Sequence, residues 1–272
     1  DQTVDGARVV LGWPGTSEMS PGRISGFTAQ LRDCGVELVE QPEDMIGRID
    51  AVLVLSLCGG VHLDRVRPFL EVGIPAYVDK PFACSSEDAE EIVRLAVAHD
   101  TFVYGTSALR FSEDVKQFQS RESVHGRLNG VLVYGPAKRA EGNPGLFHYG
   151  IHAVELLYTL MGTGVERVSA ICCDGADVVT GSWSDGRVAG LRGNRAGSTA
   201  YGFTAFCDQA VIEQRVSSRY AYRNLCRTIV AGIESKQPAV ANNVTLEIVR
   251  FVLAALESER LNGEPVALGA IK

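Results

Sequence analysis

Along the first hundred residues, compact apolar blocks alternate with stretches of helical period. Arg8-Val9-Val10-Leu11 reads as a short strand, followed by a Gly/Pro/Ser loop from Gly12 to Gly22. Residues Ile24 to Asp33 have helical character, and Gly35 suits a helix C-terminus. Val36 to Val39 is a second strand, Gln41 to Gly47 a short helical connection, and Ala51-Val52-Leu53-Val54-Leu55 a continuous apolar run. Such a run marks a strand covered on both faces, as in a parallel sheet. His62 to Val72 is expected to be helical, with Pro68 inside and Gly73 closing it; Ile74 to Val78 is the next strand. Ser85 opens a helix with Asp88 three residues on, and Ala89, Ile92, Val93 and Ala96 mark its buried face. Thr101 to Tyr104 returns to strand. This alternation predicts a Rossmann-type, doubly wound α/β domain over residues 1–107.

Beyond Ser107 the rhythm changes. Strands are predicted at Leu128–Tyr134, Arg167–Cys173, Asp177–Trp183, Arg187–Leu191, Tyr201–Phe206 and Val211–Val216. Helices are expected at Ile151–Met161, Arg219–Ser235 and Thr245–Leu261. Asp174-Gly175 and Asp185-Gly186 are hairpin signals between strands. Residues 108–272 therefore read as an α+β domain on a mostly antiparallel sheet.

Composition narrows the classes. The chain has 272 residues, 46% hydrophobic and 22% charged, with a net charge of -7. This is the profile of a globular protein with a real core, not of a disordered one. No basic stripe points to nucleic acid. The longest apolar run, Ala51 to Val61, is far short of the ~20 residues of a membrane helix. The seven cysteines form no C-x-x-C pair and read as reduced, structural residues of a cytoplasmic protein.

Candidate chemistry sits at strand ends. In open α/β sheets ligands bind outside the carboxyl ends of the strands, which here are Ser56 to Gly60, Asp79-Lys80-Pro81 and Gly105 to Arg110. Lys80 directly follows an apolar strand, a place suited to proton transfer, although a solvated strand-end lysine has the same signature. His148 and His152, at i and i+4, share one face with Glu155. That face suits an acid/base pair, a metal site of His148, His152 and Glu155, or a hydrogen-bonded pair at a domain junction. His62 is a candidate ligand contact beside Cys58, His99 a helix-end residue, and His125 part of an exposed polar loop. Lys138 and Arg139 fit either an anionic substrate or a solvated loop.

From about Val36 to Val266 these residues resemble the glucose–fructose oxidoreductase, inositol dehydrogenase and rhizopine-catabolism oxidoreductases. The likeness rests on Ile49 to Val54, His62, Asp79-Lys80-Pro81-Phe82, Arg110-Phe111, Gly150-Ile151-His152, Glu257-Ser258, Asn262-Gly263 and Pro265-Val266. It implies an N-terminal domain binding NAD or NADP, a C-terminal substrate domain, and hydride transfer from a secondary alcohol of a sugar, cyclitol or related polyol. Carried over, Lys80, His152 and His148 are the catalytic candidates. Ser56, Leu57, His62, Asp79, Lys80 and Pro81 line the cofactor, and Arg110 and Tyr149 the substrate. Because the outer sheet face often joins copies in this family, a homodimer or homotetramer is expected. The alternatives are a metal-dependent enzyme and a non-catalytic binding protein on the same fold.

Two positions depart from the family pattern. His148 stands where an Asp usually precedes the histidine by four residues. No G-x-G-x-x-G occurs anywhere. Arg8–Leu11 resembles the family's second strand, so the sheet is expected to have a gap at its central strand, with further residues preceding this sequence. The other arrangement places Arg8–Leu11 in the central slot itself.

Overall fold

A computed structural model describes residues 2–271. The α/β part runs β1 (Leu11–Gly12), α1 (Ile24–Asp33), β2 (Glu37–Leu38), β3 (Val52–Val54), α2 (His62–Leu70), β4 (Ala76–Val78), α3 (Ser86–Ala98) and β5 (Val103–Tyr104). Helix α1 has the predicted bounds; β2 to β5 are shorter than predicted, and β1 starts at Leu11, the last residue of its predicted strand, and takes in Gly12. The connection expected from Gln41 is a 3-10 turn, Pro42–Met45. At α3, Ser85 accepts a hydrogen bond from the Asp88 N–H, the cap its sequence foretold.

The parallel sheet is in two pieces. β1 pairs with β2, and β3, β4 and β5 form a separate three-stranded sheet in that order. β1 therefore does not occupy the central position beside β3, which excludes the second arrangement considered from sequence. The hydrogen bonds Glu37 N–H to Val10 O and Val39 N–H to Gly12 O use one edge of β1. Those from Val52 N–H to Pro75 O and from Asp79 N–H to Val54 O use one edge of β3. Leu11 and Leu53 alternate with these residues, so their backbone groups face the opposite edges. On β3 the face of Val52 and Val54 is buried, whereas Leu53 is 42% exposed and Leu55 63%. A strand whose sequence reads as covered on both faces is thus covered on one.

The remainder comprises α4 (Glu113–Gln119), α5 (Glu122–His125), β6 (Leu128–Pro136), α6 (Ile151–Met161), β7 (Val165–Cys173), β8 (Ala176–Trp183), β9 (Val188–Asn194), β10 (Tyr201–Cys207), β11 (Val211–Val216), α7 (Ala221–Ser235), α8 (Asn242–Arg260) and β12 (Val266–Ala267). Seven strands form one sheet, ordered β11-β10-β6-β9-β8-β7-β12, antiparallel except for the β6–β9 pair. Along β8 buried and exposed residues alternate. This is the period-2 pattern of a sheet covered on one face. The covering element is α6, apolar nearly all round, with α8 beside it: Tyr158 of α6 meets Phe251 of α8 edge-on, ring centroids 5.7 Å apart. Helix α7 reaches the other half of the molecule, where Leu225 and Ile229 pack with Tyr77 and Tyr104.

One expectation is corrected. His125, placed by sequence in an exposed loop, is buried, its ring stacked on Phe118 at 4.6 Å and bonded to the carbonyls of Gly126 and Phe118. The polar sequence around it gave no sign of that aromatic partner.

Gly105 ends β5 where it presses on β4. A Cβ there would lie 2.3 Å from the Val78 carbonyl oxygen and 2.8 Å from Phe82 Cδ2. Backbone cannot swing aside as a side chain can, so Gly105→Ala is expected to lower unfolding free energy by about 1–3 kcal/mol. Urea denaturation checks this; an unchanged midpoint would contradict the close contact.

Candidate active site

Three segments converge at the carboxyl ends of β3, β4 and β5. Lys80 leaves β4 beside Asp79, its Nζ 3.7 Å from the carboxylate. Behind it, Tyr77 donates to the Thr106 carbonyl at 2.8 Å. The chain after β5 turns through a short 3-10 segment, Ala108–Phe111, capped by Ser107, whose hydroxyl oxygen accepts from the Leu109 N–H. Opposite this turn stands the N-terminal end of α6, carrying His152 and Glu155 one turn apart on the same face.

Turn and helix grip each other at two points. Glu155, 4% exposed, accepts from Arg110 Nη2 at 2.6 Å and Thr106 Oγ1 at 2.9 Å, and Arg110 Nε also donates to Thr106 Oγ1. Ser107 Oγ lies 2.7 Å from His152 Nδ1. Around His152 stand Tyr149 and Tyr201, with ring centroids at 6.3 and 5.9 Å, and His148 meets the Tyr149 ring at 4.9 Å. Burial and the nearby Lys80 charge lower the pKa of His148, and burial, Lys80 and His148 together hold His152 down at about 3. Both imidazoles are therefore neutral near pH 7, and the Lys80 ammonium is felt by each.

The structure brings Lys80, His148, Tyr149 and His152 together, and gives other candidates different work. Arg110, expected to face substrate, has its guanidinium on Glu155. That ion pair also takes Glu155 away from the histidines, and among the described residues no group of three His, Cys, Asp or Glu side chains is placed to hold a metal. His62 is fully buried, its two ring nitrogens against the carbonyls of Ser56 and Phe82, so it shapes the loop from beneath instead of presenting a group to a ligand. Arg139 is exposed, as a solvated loop residue would be, but its guanidinium pairs with Glu259 and with buried Asp177 and is not free for an anion. Cys58, which sequence placed beside His62, donates to the Gly142 carbonyl.

Four positioning residues escaped sequence reading. Asn143, fully buried, donates to the Leu57 carbonyl at 2.7 Å and accepts from the Gly59 N–H at 3.0 Å. It fixes the Ser56–Gly60 loop from the other half of the chain. Arg65 on α2 binds Ser56 Oγ and the Thr16 carbonyl and lies over the Trp13 ring. Ser107 and Tyr201 contact His152 itself. A serine is a residue type suited to capping a turn, as Ser107 does, but nothing local marked its histidine partner.

The comparisons agree with the family likeness read from sequence. Residues 24–106 match the model of an oxidoreductase family with an NAD-binding Rossmann fold. None of the curated proteins matches the sequence. Solved structures match nearly end to end. Scyllo-inositol dehydrogenase from Lactobacillus casei, with bound NAD(H) and scyllo-inositol, superposes with a TM-score of 0.79 at 17% identity, over 96% of this chain and 92% of that one. GenD2 from gentamicin A biosynthesis, in complex with NAD, gives 0.78 at 14% identity over 91% and 86%. An oxidoreductase from Thermotoga maritima gives 0.76 at 13% identity over 98% and 100%. At these identities the likeness establishes the shared fold: a Rossmann domain followed by a sheet domain.

The low basicity of His152 has a consequence for stability. In the unfolded chain its imidazole takes a proton near pH 6.5, whereas in the folded protein it does so at about 3. Below pH 6.5 the unfolded state therefore binds a proton that the folded state does not. The stabilisation is complete above that pH and is lost as pH falls toward 3. His152→Gln is expected to lose stability less steeply than the parent between pH 6.5 and 4 in thermal unfolding. Parallel slopes would show that burial does not suppress protonation.

Proposed function

We propose that this chain is an NAD(P)-dependent oxidoreductase acting on a secondary alcohol of a sugar, cyclitol or related polyol, with a dinucleotide-binding unit in residues 1–107 and a substrate-binding unit in 108–272. One observation carries the reading: Lys80, at the end of β4, and His152, at the start of α6, lie on the side of the parallel strands' carboxyl ends, with His152 close enough to feel the Lys80 charge. Alcohol oxidation needs such a place, where carbon gives up hydride while its oxygen gives up a proton to a positioned group.

The fit to the cofactor differs at its two ends. The reactive ring has candidate neighbours in Ser56, Leu57, Asp79, Lys80 and Pro81. The pyrophosphate has none among the described residues, because the turn after β1, Gly12-Trp13-Pro14-Gly15, is not the glycine turn opening a helix that would cradle it. NAD or NADP, when bound, supplies the hydride acceptor or donor. The residues of this chain handle the oxygen. Lys80 and His152 orient it and manage its proton, with His148 tuning the pair. Tyr149, Tyr201 and Tyr222 wall the approach with phenols that suit a polyhydroxylated ring, the Tyr201 and Tyr222 hydroxyls raised in pKa chiefly by burial. The non-catalytic alternative draws support only from the missing glycine turn.

Lys80→Ala and His152→Ala are each expected to lower turnover by at least about tenfold without changing the circular dichroism spectrum. His148→Asp should retain part of the activity. NADH and NADPH titrations followed by nicotinamide fluorescence and thermal shift precede a polyol screen. Wild-type turnover in both alanine variants would remove the acid/base assignment, and failure of both dinucleotides to bind this chain would remove the cofactor assignment for it.

The same reading includes association of copies through the outer face of the large sheet. The register sets Thr204, Leu132, Gly190, Thr180 and Ser169 in one row on that face. The same face carries exposed Phe206, Val178, Val188 and Ile171. An apolar sheet face of this kind marks an interface. Phe206→Glu together with Leu132→Glu is expected to give monomers in sedimentation velocity where the parent sediments as a dimer or tetramer. A monomeric parent would exclude the proposal.

A further inference from the structure

Ser107 is fully buried, and its hydroxyl makes two contacts among the described residues. The Leu109 N–H, 3.2 Å away, can only donate. The other contact, 2.7 Å long, is to His152 Nδ1. If Nδ1 carried the ring proton, Ser107 would accept twice and its own hydroxyl proton would point at no acceptor inside the protein. A buried donor left unpaired costs roughly 1–3 kcal/mol. If Ser107 donates to Nδ1, the buried hydroxyl and Nδ1 are both satisfied, and the proton of the neutral ring resides on Nε2, which no group among the described residues engages. The direction of the Leu109 bond is set by the backbone of the capped turn. That turn is itself fastened to α6 through Glu155, so the arrangement does not depend on a free rotor.

We infer that Ser107 is a positioning residue that holds His152 as a neutral ring with its proton on Nε2, so that His152 presents an N–H donor to the substrate oxygen and the proton of the reaction is exchanged with Lys80. The inference rests on the oxidoreductase reading and divides the labour within it. In the reducing direction, where a bound nicotinamide would supply the hydride for the new C–H bond, the C=O π pair would move onto oxygen and the Lys80 ammonium would give that oxygen its proton. In the oxidising direction, the O–H proton would pass to the Lys80 amine as the C–H pair leaves as hydride for an oxidised nicotinamide, when bound. His152 donates a hydrogen bond in both directions and changes protonation in neither. A neutral imidazole N–H that polarises a carbonyl is an established catalytic device. Its Nε2 has no hydrogen-bond partner among the described residues, and around the ring stand Lys80, His148, Tyr149 and Tyr201.

The first test uses the whole chain labelled with 15N-histidine. Long-range 1H–15N correlation spectra near pH 7 are expected to show His152, assigned by its loss in His152→Gln, as the Nε2–H tautomer. The Nδ1–H tautomer, or an imidazolium, would overturn the inference. In Ser107→Ala the tautomer signature should broaden or become mixed, and kcat should fall at least tenfold with KM little changed; Ser107→Thr, which keeps the hydroxyl, should restore both. If Ser107→Ala keeps the pure Nε2–H signature and parental kcat, Ser107 does not position the ring. The wild-type spectrum decides the tautomer even if Ser107→Ala does not fold. Failure of the oxidoreductase reading would appear separately, as parental turnover in both Lys80→Ala and His152→Ala, with the spectrum of the parent unaltered.

Discussion

The Glu155 carboxylate is the point on which the site turns. A buried charge is tolerated only when its partners are in place, and removing one of them leaves several kcal/mol uncompensated. Here the partners, Arg110 and Thr106, come from the turn that follows β5, while Glu155 belongs to α6 beneath the large sheet. The fold can bury this carboxylate only when the end of the parallel sheet and the start of α6 are docked in one orientation. His152 lies three residues before Glu155 and Ser107 one residue after Thr106. The geometry that satisfies the ion pair is then the geometry that sets Ser107 against His152. Tyr77, donating to the Thr106 carbonyl, fastens the same turn to β4 and so to Lys80. Stability and site geometry share one network.

A second constraint acts on the loop side. The parallel strands form two sheets that no ladder joins, so what aligns their carboxyl ends must come from side chains. Arg65 does this by reaching from α2 to the Ser56 hydroxyl and the Thr16 carbonyl across the face of Trp13. His62 ties the same loop to the Pro81–Phe82 turn, and Asn143 ties it to the second half of the chain. Arg65 thus spans the two pieces where backbone pairing does not, and His62 and Asn143 hold the loop that it grips.

Much of the fold was legible because hydrophobic period is a local property. Val211–Val216, Ile24–Asp33 and Ile151–Met161 emerged with the bounds their patterns gave. The continuous run from Ala51 to Leu55 was misleading in one respect: it encodes burial on both faces, yet Leu53 and Leu55 are exposed. Composition reports what a strand is suited to, and only the tertiary arrangement shows which face is covered. Of the candidate site, Lys80 and His152 were singled out by strand-end position and helical spacing. The roles of His62, Arg110 and Arg139 were not, because each is decided by a partner far along the chain: Phe82, Glu155 and Glu259. A charged or ring side chain announces that it needs a partner, but not whether that partner is a ligand or the protein itself.

The electrostatics of the site follow from which group stands behind each imidazole nitrogen. A carboxylate at Nδ1 would stabilise the imidazolium and raise the basicity of the ring. Ser107 offers a dipole and no charge, and His148, neutral by burial and by Lys80, occupies the position where the resembling family carries an Asp. With no anion behind it and a lysine ammonium in front, His152 stays neutral well below pH 7. Positive charge in the site therefore resides on Lys80, held 3.7 Å from Asp79. In the proposed reaction, an oxygen that carries negative charge before hydride leaves or after it arrives would find the lysine charge on one side and the inferred N–H on the other. An uncharged His148 at this position then leaves the transferable proton of the proposed reaction with the lysine instead of the histidine.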